Sequence, residues 1–238
     1  MNRAIVLQSL ITKYNYQRYL EIGIYKGKTL LPLDCKYKIA VDPAFRVSPL
    51  FLLKWIFKNP KNIRNKYFVM TSDEFFKKKT EYLQRKDKPQ LIFIDGLHTF
   101  EASLNDVFNS LKILDPKGII VLHDCLPPHS AAATPAESLK GAVKTEIPGW
   151  TGAWCGDVWK CMAYIKEKHS KELDVFVLNA DLGLGIIKLK VDRFSPTKID
   201  YNCFERIDSK DFDFLMKDPE QLIGLKDKSY FQTFIKNN

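Results

Sequence analysis

The sequence predicts an α/β fold: one doubly wound sheet, mostly parallel, with a terminal antiparallel hairpin strand. Three observations carry this. Five short, nearly unbroken apolar runs each end in a glycine or polar residue, as strands do when both sheet faces are covered. Segments of helical periodicity alternate with them. Two further β-rich runs near the C-terminal end lie close together around Asp181–Gly183. Residues 1–190 are expected to form the domain, and 191–238 a partly helical extension.

The elements follow in chain order. "MNRAIVLQSLITKYNY" predicts a first helix over about 2–14 and not a signal peptide, because Gln8 and Ser9 break its apolar run and no small-residue cleavage site follows. "RYLEIG", "YKIAVD", "KYFVMTS", "QLIFID" and "GIIVLHD" read as strands one to five. Ser72 is expected to cap the helix after strand three. Leu104, Val107, Phe108, Leu111 and Leu114 share one face of a helix from about Phe100. Two regions, about 48–60 and 125–155, read as lid or insert segments, the second rich in proline and glycine, with a short helix around 136–143. A helix is expected over about 157–169, before the hairpin.

Composition narrows the function classes. Hydrophobic residues make up 45% of 238, enough for a full core. The formal charge is +9, which admits anionic partners, yet no recognised RNA module is present. Five cysteines without C-x-x-C spacing indicate neither a disulfide framework nor a zinc ribbon, so a cytoplasmic location is expected. No apolar run approaches a membrane span.

The loop after strand one, "EIGIYKGKTL", resembles a phosphate-gripping loop. A P-loop needs four residues between its first glycine and G-K-[ST]; here Ile24, Tyr25 and Lys26 are only three. A dinucleotide turn needs a glycine where Tyr25 stands. What remains is Glu21, Gly23 and Gly27 at an expected strand-to-helix turn, with Asp42 closing strand two. Carboxylates without a phosphate clamp suit a neutral sugar and a cationic head, the chemistry of S-adenosylmethionine (SAM).

At this point the chain resembles the class I SAM-dependent methyltransferases, which have a Rossmann-like fold, over about Arg18 to Lys190. It is most similar to small-molecule and sugar O-methyltransferases of the macrocin type. The motifs are "EIGIYKGKT", "IDGLHTFE", "LHDC", "GDVWK" and "ADLGLGII". The resemblance implies a cofactor site of Glu21, Gly23, Gly27, Asp42, Ser72, Asp73 and Asp95, with Asp42 on the ribose and Ser72 and Asp73 near adenine. It implies His98 of D-x-x-H as general base beside Asp95. It also implies magnesium at Asp95 and Asp124, while His123 stands where that group commonly has an acid. Magnesium prefers oxygen ligands, so a metal-free site or a softer ion stays open.

Methyl transfer needs the acceptor oxygen, methyl and sulfur in line, and a base for the hydroxyl proton. The expected activity is O-methylation of a small hydroxylated molecule such as a sugar or nucleotide-sugar. An RNA-binding or RNA-methylating protein and a catalytically silent SAM-binding protein are the alternatives. Trp150, Trp154 and Trp159 are candidates to stack on an acceptor. A homo-oligomer is left open.

Overall fold

The computed structural model describes residues 1–144 and 147–237. Thr145 and Glu146, within the expected 125–155 insert, and Asn238, at the end of the expected extension, lie outside the described residues.

Five parallel strands form as the apolar runs require: β1 (Arg18–Ile22), β2 (Tyr37–Val41), β3 (Lys66–Phe68), β4 (Leu91–Ile94) and β5 (Ile119–Leu122). The helices among them are α1 (Arg3–Tyr14), α2 (Pro49–Lys58), α3 (Ser72–Arg85) and α4 (Phe100–Ile113). Beyond β5 come α5 (Leu139–Lys144), α6 (Trp159–His169), β6 (Leu173–Asn179) and β7 (Leu184–Leu189). The last segment gives α7 (Tyr201–Asp208), α8 (Phe212–Lys217), α9 (Pro219–Ile223), β8 (Leu225–Asp227) and α10 (Tyr230–Asn237).

The sheet order is β3-β2-β1-β4-β5-β7-β6-β8. β7 runs antiparallel between β5 and β6, so the expected hairpin folds back into the sheet. β8 adds in parallel to β6.

Two apolar layers cover the sheet. Leu20, Ile22, Ile92, Ile94, Ile120 and Leu122 meet α3, α4 and α6 on one face. Tyr19, Phe93, Val121 and Ile186 meet α1 and α10 on the other. From α1 the fully buried Val6, Leu7 and Leu10 contribute about 1.5–3 kcal/mol each.

Two expectations are corrected. Thr71, not Ser72, caps α3: its side chain accepts the Glu74 N–H, and Ser72 is the first helical residue. And the turn after β1 does not open a helix. From Gly23 to Lys36 the chain makes turns alone before β2. Pro32 restricts helix formation there, and a lysine takes over the carbonyls that a helix would have satisfied. Lys38, the second residue of β2 and 1% exposed, donates to the carbonyls of Leu30 (2.9 Å) and Leu33 (2.8 Å) and to Asn62 Oδ1 (2.6 Å). Asn59 and Asn62 donate to the Leu33 and Leu31 carbonyls. A parallel crossover usually contains a helix; here a buried polar brace replaces it, and Leu30, Leu31 and Leu33 pack into the layer with α1.

Candidate active site at the carboxyl edge of the sheet

The register aligns the ends of the central strands: Ile22 pairs with Val41 and with Ile94, and Ile94 with Leu122. The next residues, Gly23, Asp42, Asp95 and His123, therefore leave the sheet along one edge, where ligands of open α/β sheets bind.

Glycine is required at two close approaches. Gly23 has φ +84°, and a Cβ there would lie 1.9 Å from the Asp95 carbonyl oxygen. Gly156, the first residue of "GDVWK", has φ +57°, and a Cβ would lie 1.9 Å from the His98 carbonyl oxygen. The first brings β1 against β4. The second brings the chain before α6 against the D-x-x-H turn.

The expected cofactor residues fall into distinct surroundings. Asp42 Oδ2 accepts the Tyr25 N–H (2.7 Å) and Oδ1 the Ala44 N–H (2.7 Å), so this carboxylate shapes the turn while each oxygen keeps a lone pair free. Gly27 has φ +69° and packs against Leu31 and Val47. Glu21 points into the sheet layer; its Oε2 accepts the Tyr19 hydroxyl at 2.6 Å, and burial pushes its pKa up to about 8. Ser72 stands beside the buried carboxyl of Asp106 on α4, whose pKa burial pushes up to about 7. Asp73 is exposed in the first turn of α3.

At the tips of β4 and β5 the titratable groups converge. His98 Nδ1–H donates to the Trp154 carbonyl (2.9 Å), and the two rings stack at 5.0 Å. That contact leaves Nε2 facing Asp124 Oδ2 (3.2 Å) and Asp95 Oδ1 (3.5 Å). His123 Nδ1 reaches Asp124 Oδ2 (2.8 Å) and Asp95 Oδ1 (3.4 Å). Its Nε2 has no hydrogen-bond partner among the described residues; Asp181 Oδ1 stands 3.8 Å away.

Two members of this cluster were not singled out in the sequence. Arg3, at the start of α1, donates from Nη1 to Asp95 Oδ2 (2.6 Å). Its Nε (3.0 Å) and backbone N–H (2.6 Å) both reach Asp181 Oδ2. Asp181, in the β6–β7 turn with φ +48°, lay unmarked inside the quoted "ADLGLGII". The electrostatics follow. Burial raises the Asp95 pKa, but His123, His98 and Arg3 outweigh it and hold it well below the usual range. Burial opposes charge on both histidines, yet the facing carboxylates raise them, His123 far above the ordinary imidazole value.

Asp95, His98 and Asp124 each offer a ligand atom within 4.8 Å of the others. The set does not fit magnesium. Asp95 Oδ2 is taken by a guanidinium and Asp124 Oδ2 by an imidazole, and His123 replaces the third acid. A magnesium ion would have to displace the Arg3 guanidinium from Asp95 and sit beside the His123 imidazole, which offers it no oxygen. The tryptophans divide: Trp154 covers His98 and donates to the Thr134 carbonyl, whereas Trp159 is buried core at the start of α6.

Comparison with known proteins agrees with this architecture. Residues 20–125 match a family described as a methyltransferase domain. The SAH-bound methyltransferase of Podospora anserina superposes with TM-score 0.52 at 18% identity, over 79% of this chain and 78% of that one. An O-methyltransferase from Bacillus cereus in complex with SAH gives 0.54 at 12% identity, over 79% and 80%. A cofactor-bound protein from MTB gives 0.58 at 13%, over 79% of each chain. At these identities the likeness is one of fold. No curated protein matches the chain in sequence. Residues 20–125, from β1 to the turn after β5, are thus similar to a methyltransferase domain, carried here on a Rossmann-like sheet.

Proposed function

We propose that the chain is a SAM-dependent O-methyltransferase that uses His98 as general base toward a small hydroxylated acceptor, of which a sugar or nucleotide-sugar is the class to test first. The observation that carries this is the pinned imidazole: Nδ1–H is held by the Trp154 carbonyl, and Nε2 is aimed into the carboxylate cluster at the sheet edge. SAM supplies a methyl group on a positively charged sulfur. The turn at Gly23 and Gly27 offers backbone at close range, and Asp42 keeps acceptor capacity for ribose hydroxyls. The acceptor oxygen forms its bond to the methyl carbon as the carbon–sulfur bond breaks, and the hydroxyl proton passes to His98 Nε2. No step is routed through a metal.

Because Asp95 and Asp124 favour the imidazolium, His98 must lose a proton before it can act. Turnover is therefore expected to rise with pH, with its acid limb above the ordinary histidine value of about 6.5. The test pairs two measurements. SAM and its demethylated product should raise the unfolding midpoint of both wild type and His98→Asn, whereas ATP and NAD should not. On an accepted hydroxyl substrate, His98→Asn should lose about 10²–10⁴-fold in turnover. Stabilisation by ATP alone overturns the cofactor; full turnover in His98→Asn overturns the base.

A further inference from the structure

Between Asp42 and Asp73 the chain has no acidic residue and six cationic ones: Arg46, Lys54, Lys58, Lys61, Arg64 and Lys66. All six are exposed, and Lys61 pairs with Asp34 from the preceding turn. α2 runs through this stretch. Phe51, Leu52 and Trp55 lean on the core, but no residue of the helix is fully buried. Its outward stripe is apolar: Leu50, Leu53 and Phe57, spaced i, i+3 and i+7, are 81%, 50% and 79% exposed. Ile63 and Val69, at 71% and 67%, continue apolar exposure beyond the helix. Lys54 and Lys58 follow Leu50 by four and eight positions, so they border the stripe on the same side of the helix.

A helix on a globular surface ordinarily turns its polar face outward. This one presents leucine and phenylalanine to solvent within a field of one sign. The charge selects the occupant. A second copy docked on the same face would bring like charges together, which opposes a two-fold contact. A polyanion such as RNA would satisfy the cations and leave the apolar stripe in water. An anionic lipid surface satisfies both.

We propose that α2 and the turn after it dock on an anionic phospholipid surface, with Leu50, Leu53, Phe57 and Ile63 entering the headgroup boundary and the cations over the phosphates. The ten-residue helix is too short to cross a bilayer and lies in its plane. The docked edge adjoins the site: Val47 touches the Gly27 turn, and the Arg46 N–H donates to the Tyr25 carbonyl at 2.9 Å. The proposal stands independently of the acceptor and of the base.

Cosedimentation of the full chain with phosphatidylcholine vesicles, with and without phosphatidylglycerol, tests it. Binding is expected only with the anionic lipid and should weaken with salt. The exposed-site pairs Leu50→Asp/Phe57→Asp and Lys54→Glu/Lys58→Glu should each lower binding at least about tenfold without moving the unfolding midpoint. Three results overturn the proposal: no binding to anionic vesicles; binding indifferent to Leu50→Asp/Phe57→Asp; or a wild-type dimer that the same pair dissolves while vesicles are ignored.

Discussion

Lys38 and Arg3 are two cations in partly or fully buried surroundings, and they end on different oxygens. Lys38 gives all three ammonium hydrogens to neutral acceptors: two backbone carbonyls and an amide. Arg3 gives its hydrogens to carboxylates at the mouth of the site. The first cation replaces a helix, closing a turn that otherwise leaves its carbonyls unpaired. The second occupies charge that the family resemblance assigned to a metal. A cation on carbonyls is architecture; a cation on clustered carboxylates sets the chemistry of the groups beside it. The contrast predicts that removing Lys38 damages stability, and that removing Arg3 damages the site.

Lys38→Met gives the largest loss of stability. Burial lowers the Lys38 pKa to about 8, so the ammonium persists at neutral pH. Methionine fills similar volume but leaves the Leu30 carbonyl without its donor, while the Leu33 carbonyl keeps Asn59 and Asn62 Oδ1 keeps Asn65. Leaving that buried acceptor unpaired costs about 1–3 kcal/mol, read as a lower urea midpoint at unchanged slope. A loss under about 0.5 kcal/mol means that water or the asparagines already serve that carbonyl, and the contrast with Arg3 fails.

The sequence made some of this legible and concealed the rest for physical reasons. β1, β2, β4 and β5 are readable because strands covered on both faces have no polar alternation to hide them. β8 is not, since Leu225–Asp227 is three residues with two charges, held by its pairing with β6. Lys38 did leave a signal, a lysine inside an apolar strand, but its meaning depends on Asn62 from a later turn. The missing helix after β1 could be suspected from Pro32 alone. At the site, His98, His123, Asp95 and Asp124 are readable because each sits just past a strand end, where topology fixes the edge. Arg3 is invisible: it meets Asp95 across 92 positions of chain, and nothing in "MNRAIV" says where the helix start will dock.

Glu21 lies between the two regions and gives an effect confined to a pH window, and its substitution is expected to gain stability, not lose it. Its folded pKa, about 8, exceeds the ordinary glutamate value of 4.5, with burial as the cause. The folded state therefore binds the proton more tightly than the unfolded chain, and stability falls as pH rises from about 4.5 to 8. The slope from this residue is at most about 1.4 kcal/mol per pH unit. Glu21→Gln mimics the neutral acid, keeps an acceptor for the Tyr19 hydroxyl and does not titrate. Wild type and variant should unfold alike at or below about pH 4, with the variant gaining as pH approaches 8. Parallel curves across that window show that Glu21 is ionised in the fold.

Arg3→Met should change stability least, by under about 1 kcal/mol, because the pair with Asp95 is partly open to water. Its informative readout is the response to divalent ions. With Arg3 present, Asp95 Oδ2 and Asp181 Oδ2 are engaged, and added magnesium or manganese should leave the unfolding midpoint nearly unmoved. Without it, Asp95, Asp124 and Asp181 face one another with only the two imidazoles to balance them. A divalent ion then supplies the missing positive charge, so the variant alone should gain a midpoint shift that saturates with metal and reverses with chelator. If wild type shows that shift equally, the guanidinium does not stand in for a cation, and both Lys38 and Arg3 are structural braces of one kind.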